Sequence, residues 1–333
     1  MDLSTTYLGL KLAHPLIPGA SPLTDDLDTV KRLEDAGAPA LILRSLFEEQ
    51  IANEQFRQVQ DVEAAEGSFA EALTYFPRRE EYRVIGPERY LENVRMVKEA
   101  AGVPVIASLN GVSDGGWIDY ARQCQEAGAD ALELNVYFLA ADPSQTGAAV
   151  EDRVVRAATA VKAAVTIPVA VKLSPFFSSL PHVAKRLDDA GADGLVLFNR
   201  FYQPDIDPEA LEVIPKLRLS DSSELLPRLR WLAVLSGRVK MSLGATGGVH
   251  TAADAVKAIM AGAHGVQMVS ALLKNGPAHL EKVRDELAGW MEAHEYTSVA
   301  QMRGCMSLLK SPDPAAFERA NYIRILQGGT KTV

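Results

Sequence analysis

Cysteine is nearly absent from this sequence. Its 333 residues hold only Cys124 and Cys305, too few for a disulfide framework and too far apart for metal-ligand spacing. Both fall in helix-like stretches and read as buried structural thiols. Histidine is sparse too. The six histidines form no His-x-x-x-His or His-Glu-x-x-His pair, which argues against a dedicated zinc site. Without a cysteine cluster, no iron–sulfur centre is expected in this chain. Lys/Arg-rich runs are missing, and acids outnumber bases 43 to 34, so no nucleic-acid surface is expected. No apolar run approaches the roughly 18 residues of a membrane helix. The opening Met-Asp-Leu-Ser-Thr-Thr has neither the basic nor the apolar region of a leader. These absences predict a reducing, cytoplasmic location without membrane contact.

The composition that remains is that of a globular protein, 47% hydrophobic and 23% charged. One tripeptide repeats. Ala-Gly-Ala occurs at Ala36–Ala38, Ala127–Ala129, Ala190–Ala192 and Ala261–Ala263. Each copy follows an amphipathic helical run and precedes a short apolar run, so its glycine fits the position just past a helix C-terminus. The apolar runs Ala40–Ser45, Ala131–Tyr137, Gly194–Arg200 and Gly265–Ala271 read as buried parallel strands. They alternate with a second set that opens at Val103-Pro104-Val105, Ile167-Pro168-Val169 and Arg238-Val239-Lys240. With Pro15–Ser21 the strands number eight. Helical patterns lie at about 24–36, 87–101, 115–127, 148–164, 179–190, 222–236, 251–261 and 277–294.

Eight such units predict an α/β fold, a single (β/α)8 TIM barrel over residues 1–294 with a C-terminal helical extension over 295–333. An open doubly wound sheet is the alternative. No Gly-x-Gly-x-x-Gly follows a strand, which counts against it. Long loops follow strand two (46–86) and strand six (201–221), on the face where barrels build active sites, and read as lids or substrate walls, with a dimer contact or surface decoration as the alternative for 46–86. The extension is expected to be helical over Met302–Leu309 and Phe317–Leu326 and to pack on the barrel.

Strand ends carry the chemistry of a barrel. Leu132, Leu134 and Val136 share one face of strand four, so Glu133, Asn135 and Tyr137 share the other, inward face. Ala170 and Lys172 face inward from strand five, which brings Lys172 towards Glu133. A buried Lys–Glu pair is costly without a role, and this one points to a ligand near Lys172. Thr246-Gly247-Gly248-Val249-His250-Thr251 runs into the helix at Ala252. Bare backbone next to a helix N-terminus suits an anion, and strand eight supplies Ser270 nearby. This corner predicts a phosphorylated ligand.

Together these segments resemble the dihydroorotate dehydrogenases, which are FMN-dependent (β/α)8 barrels. The resemblance rests on His14 to Ser21, Glu133-Leu134-Asn135, Val171-Lys172-Leu173-Ser174-Pro175, Asn199, Ala245 to Val249 and Val266 to Leu272, in the family's order and spacing. It implies that Ala20 and Ser21 lie against the flavin, and that Arg44 stands where the family has a flavin-contacting lysine. It implies that Lys172 sits at the flavin N1 edge and that Gly247, Gly248 and Ser270 hold the FMN phosphate. It further implies that Asn135 and Asn199 hydrogen-bond a small pyrimidine-like substrate. A missing membrane segment resembles the soluble branch of the family, whose members are commonly homodimers. A partner subunit for electron transfer is compatible with the resemblance.

The departures are as informative. The family carries a catalytic Cys or Ser three residues after the strand-four Asn, and here that position is Phe138, which cannot accept a proton. Ala140 replaces a second substrate-binding Asn, and the Asn-bearing loop after strand two has no clear counterpart. Tyr137, Asp142 and Ser144 are candidates for the missing base. Three functions follow from the resemblance and the residues: oxidation of dihydroorotate to orotate, as in pyrimidine biosynthesis; an FMN-dependent reaction on a different dihydropyrimidine or cyclic amide; or a non-redox barrel. In the last, Lys172 forms a Schiff base with a phosphosugar or the chain binds flavin without turnover.

Overall fold

A computed structural model describes residues 1–48, 50, 86–111, 116–136, 139–200, 203–214 and 218–317. The chain opens with an antiparallel hairpin, β1 (Thr5–Tyr7) and β2 (Leu10–Leu12). Eight barrel strands follow, each within a run expected from the sequence. They are β3 (Leu16–Pro18), β4 (Leu41–Ile42), β6 (Val105–Gly111), β7 (Ala131–Val136), β8 (Val169–Leu173), β9 (Gly194–Leu197), β12 (Ser242–Thr246) and β13 (Gly265–Met268). The strand β5 (Leu46–Phe47) continues β4 along β6. A second hairpin, β10 (Asp205–Asp207) and β11 (Glu212–Ile214), stands in the loop after β9. Neighbouring barrel strands are parallel in the order β3-β13-β12-β9-β8-β7-β6-β4. The strands β3 and β4 touch at the remaining seam, which makes the sheet a nearly closed (β/α)8 barrel.

Helices α1 (Leu27–Asp35), α2 (Pro87–Ala100), α3 (Gly116–Glu126), α4 (Gly147–Ala164), α5 (Leu180–Asp189), α6 (Leu225–Leu235), α7 (Ala252–Ala261) and α9 (Ala278–Ala293) form the outer layer. All lie within three residues of the ranges read from periodicity. A short helix α8 (Ser270–Asn275) intervenes before α9. The expected strand Gly265–Ala271 therefore ends early. At Ser270 the chain turns into the extra helix that such barrels often carry after strand eight.

The four Ala-Gly-Ala glycines all take positive φ, between 84° and 126°, as a chain leaving a helix C-terminus requires. The aspartate after two of them locks the repeat together. Asp130 accepts from Lys98 Nζ at 2.7 Å and from the Val105 N–H at 2.7 Å. Asp193 likewise takes Lys162 Nζ and the Val169 N–H. Each carboxylate ties a helix to the start of the preceding strand.

Two apolar layers result. Alternate strand residues such as Leu132, Val171 and Leu195 pack outward under the helices. The others, Ile17, Ile42, Ile106, Ala131, Ala170 and Val196, fill the barrel together with Tyr7, Leu8 and Leu12 from the first hairpin. That plug is not legible in the sequence periodicity. It explains three glycines in the strands: a Cβ on Gly194 would lie 2.3 Å from a Leu8 methyl, one on Gly244 2.9 Å from the Tyr7 hydroxyl, and one on Gly265 3.1 Å from the Tyr7 ring.

The C-terminal segment departs from expectation. Among the described residues of this segment only Val299–Met302 is α-helical, and Arg303–Lys310 runs in turns rather than a helix over Met302–Leu309. The reason is capping. Gly304, Met306 and Leu308 donate backbone N–H groups to Ile259, Met260 and Ala233, carbonyls in the last turns of α7 and α6, where partners within the helix run out. Cys305 is half-buried in this turn and Cys124 is buried in α3, so only Cys124 is the buried helical thiol expected. The segments 51–85 and 318–333, with most of the strand-two loop and the Phe317–Leu326 run beyond Phe317 itself, lie outside the described residues. Among those residues no helix is long and apolar enough to cross a membrane.

Candidate active site

The C-terminal ends of the barrel strands surround a cavity of about 390 Å³, within the range of small-molecule and cofactor sites, roughly 300–1,000 Å³. Its wall contains Ala20, Ser21, Arg44, Asn135, Lys172, Asn199, Gly247, Gly248 and Ser270. Every residue singled out from the sequence as a cofactor or substrate contact thus reaches one chamber, from seven different strand ends.

Lys172 forms its floor. The side chain is 9% exposed and its ammonium donates to Glu133 Oε1 at 3.0 Å. Glu133 is buried beneath the wall, and its other oxygen accepts from Gln267 Nε2 at 2.6 Å. The inward alternation on β7 and β8 places this pair as the sequence suggested.

Asn135 is held by a hydroxyl cluster. Its Nδ2 donates to Ser108 Oγ at 2.8 Å and to the Leu109 carbonyl at 3.2 Å, and Ser45 Oγ lies 2.8 Å from Ser108 Oγ. The amide nitrogen is thereby engaged and its oxygen is left for the cavity. Asn199 is the complement: its Nδ2 is buried without a partner. Arg44 lines the mouth, but its guanidinium is tied to Asp25 at 2.7 Å and its side chain is 43% exposed. It does not take up the position of a lysine pointing inward.

At the other end, Gly247 and Gly248 have φ of 85° and 81°. A Cβ on Gly248 would lie 2.4 Å from the Leu225 backbone nitrogen, and one on Gly247 2.7 Å from Arg228 Nη2. The loop is thus bare backbone by steric necessity. Arg228 is buried behind it and donates to the Thr246 carbonyl at 2.7 Å. Burial pushes this guanidinium's pKa down, with Glu224 opposing. Ser270 Oγ accepts from the Ser220 N–H at 3.1 Å, which joins the loop before α6 to this corner. Helix α7 begins directly after this loop. Its N-terminus carries a capping box in which Thr251 and Asp254 satisfy each other, and the Asp254 carboxylate also takes the His250 N–H and Ser222 Oγ. An anion here would meet the glycine backbone and Ser270 beside that capped helix end.

Among the candidate bases, Asp142 and Ser144 are exposed and bonded to each other at 2.7 Å, away from the cavity wall. The Ser144 backbone N–H, and then its hydroxyl, donate to the Asp142 carboxyl and keep it below its ordinary pKa. Tyr137 and Phe138 lie outside the described residues. Sequence reasoning missed Ser45, Asn110, Arg200, Ser220 and Gln267, which also line the cavity. Only Gln267, a polar residue inside an apolar strand, carried a signal of its own. A second cavity of about 700 Å³ adjoins through Asn199, Arg200 and Leu219, with Arg218, Asp205 and Asp221 on its rim.

The dihydroorotate dehydrogenase family model matches residues 82–291. The chain belongs to the dihydroorotate dehydrogenase family. It is 28% identical over 310 residues to the catalytic subunit of dihydroorotate dehydrogenase B (NAD+) from Methanothermobacter thermautotrophicus, covering 91% of this chain and 97% of that one. It is 26% identical to the chloroplastic dihydropyrimidine dehydrogenase (NADP+) of Arabidopsis thaliana, over 91% of this chain and 76% of the relative. To the PreA subunit of the NAD-dependent dihydropyrimidine dehydrogenase of Escherichia coli it is 25% identical, with the same two coverages. The chain is accordingly an oxidoreductase of a flavoprotein family whose members act on CH–CH bonds.

Proposed function

We propose that the cavity binds FMN and that the protein oxidises dihydroorotate, transferring hydride from the ring's CH–CH bond to the flavin. One observation carries this reading: a buried ammonium, Lys172, at the floor of a chamber whose wall also holds the bare Gly247–Gly248 backbone with Ser270. That is a charged group for a ring edge and an anion cradle in one cavity. FMN, when bound, supplies the two-electron acceptor.

The chain's own residues do the rest. Gly247, Gly248 and Ser270 hold the phosphate, and Ala20 and Ser21 leave room for a planar ring. Lys172 opposes the negative charge that the ring edge gains on reduction. Asn135 presents an amide oxygen, and Asn199 an unpartnered N–H. One acceptor and one donor match the alternating edge of a cyclic amide. The relatives named as a catalytic subunit and as PreA support a partner subunit that takes the electrons onward.

A second reading, a different reduced pyrimidine, is favoured by the base position. Phe138 cannot take the proton, and Asp142 and Ser144 stand off the cavity. The test is anaerobic mixing of FMN-loaded protein with dihydroorotate and, separately, dihydrouracil. The expected result is bleaching by dihydroorotate, faster in Phe138→Cys. Bleaching by dihydrouracil alone would select the second reading. A flavin that neither compound bleaches would refute the substrate class.

A further inference from the structure

The role argued for Lys172 does not explain the carboxylate behind it. Barrel interiors are usually filled by branched apolar side chains. Here the level under the cavity holds Glu133 and Gln267, with Tyr7 of the plug below them. Glu133 Oε1 takes the ammonium at 3.0 Å, and Oε2 is fixed by Gln267 Nε2 at 2.6 Å. Glu133 is therefore gripped on both sides and has one position. Gln267 Oε1 and the Tyr7 hydroxyl are both buried without a partner. Burial, and then the Glu133 charge, push the Tyr7 hydroxyl's pKa up, with the neighbouring Gln267 side chain opposing. Removing two opposite charges from water is costly, and an apolar pair of the same volume would often serve stability as well or better. Among the described residues Glu133 is the one hydrogen-bond partner of the ammonium.

The consequence is electrostatic. A group within hydrogen-bonding reach on the far side of Nζ has the carboxylate at about twice the distance of the ammonium. By Coulomb's law the carboxylate then cancels roughly half of the lysine's attraction. In a site shielded from water that fraction is felt rather than screened.

We infer that Glu133, held by Gln267, is a positioning residue that attenuates the charge of Lys172 and so sets the reduction potential of the bound flavin below the value lysine alone would give. This rests on the flavin reading above. It makes Gln267 a tuning residue as well, because its N–H draws negative charge to the side of Glu133 away from the ammonium.

The measurement is the midpoint potential of the FMN-loaded protein, read by equilibrium reduction against a dye of known potential. Glu133→Gln keeps the shape, and Gln267 can turn its amide over to present Oε1, so the hydrogen bonds persist while the charge is removed. The potential is expected to rise, the reduced-to-oxidised ratio at fixed poise growing at least about tenfold, equivalent to about 30 mV for a two-electron couple. Gln267→Met keeps the charge and removes the donor to Oε2, and it is expected to lower the potential. A loosened barrel would move both variants the same way. An unmoved potential in Glu133→Gln with flavin bound, or shifts of one sign in both variants, would overturn the inference while leaving the flavin reading intact. Should Glu133→Gln fail to fold, Gln267→Met decides alone, and a potential that does not fall overturns the inference. A wild-type protein that binds no flavin would instead overturn the reading on which it rests.

Discussion

Two glycines with nearly the same backbone angle separate conformational strain from lack of space. Gly248 has φ of 81° and Gly276 has φ of 80°, but a Cβ on Gly248 would lie 2.4 Å from the Leu225 nitrogen, whereas one on Gly276 meets nothing within 4 Å. An alanine forced into a positive-φ conformation costs about 1–3 kcal/mol, and Gly276→Ala, at φ 80° and ψ 173°, should lose that much and no more. Gly248→Ala carries the same penalty and must also push the first turn of α6 away. Overpacking of that kind adds roughly 1–3 kcal/mol, for a total of about 2–6 kcal/mol. The displaced backbone is the anion cradle, so FMN affinity should fall at least about tenfold, or about 1.4 kcal/mol, and remain unchanged in Gly276→Ala. Urea denaturation of the flavin-free proteins gives the first quantity, and quenching of flavin fluorescence on titration gives the second. Equal stability losses in the two variants, with flavin affinity intact in both, would refute the reasoning.

Three further outcomes follow from the same contacts. Lys172→Met leaves Glu133 buried and uncompensated, so it should destabilise the protein by about 3–5 kcal/mol, and adding Glu133→Leu should recover much of that loss in a denaturant series. His264 Nδ1 accepts from the Leu243 N–H, and burial, then Arg303, lower its pKa from 6.5 to about 4. The folded state favours the neutral ring, so this stability is present above pH 6.5 and is lost as pH falls towards 4. At about 1.36 kcal/mol per pH unit it amounts to about 3 kcal/mol, and His264→Asn, which keeps an acceptor in place, should flatten that limb of the stability profile. Gly194→Ala drives a Cβ to 2.3 Å from Leu8 Cδ2 and should lower the denaturation midpoint, with Leu8→Ala in the same chain partly restoring it. No restoration would show that the plug is not what the glycine accommodates.

The repeat made most of the architecture legible. Each Ala-Gly-Ala marks a helix end whose glycine must turn left-handed, so strand and helix ranges could be read from that punctuation with the hydrophobic periods between. The inward set on strands four and five was legible because a two-residue period leaves Glu133, Asn135 and Lys172 no other face. The barrel plug was not, because Tyr7 and Leu8 sit in a hairpin too short to carry a period, and the glycines that admit them are single residues in apolar runs. The capping box of α7 was written in Thr251 and Asp254, three residues apart. The turns of the C-terminal segment answer to carbonyls on α6 and α7 far away in sequence, which no local pattern encodes. Ser108 and Asn135 come from β6 and β7 and Ser45 from the link between β4 and β5, so their cluster exists only once the barrel closes.

The central claim is that one chamber holds a flavin by its phosphate at Gly247–Gly248–Ser270 and by its ring near Lys172. Parallel fluorescence titrations of the flavin-free protein with FMN and with riboflavin test it most directly, because the two ligands differ only in the phosphate. FMN should bind with a stoichiometry of one per chain and at least about tenfold more tightly than riboflavin, a difference of about 1.4 kcal/mol. Equal affinities, or no binding of either, would contradict the account.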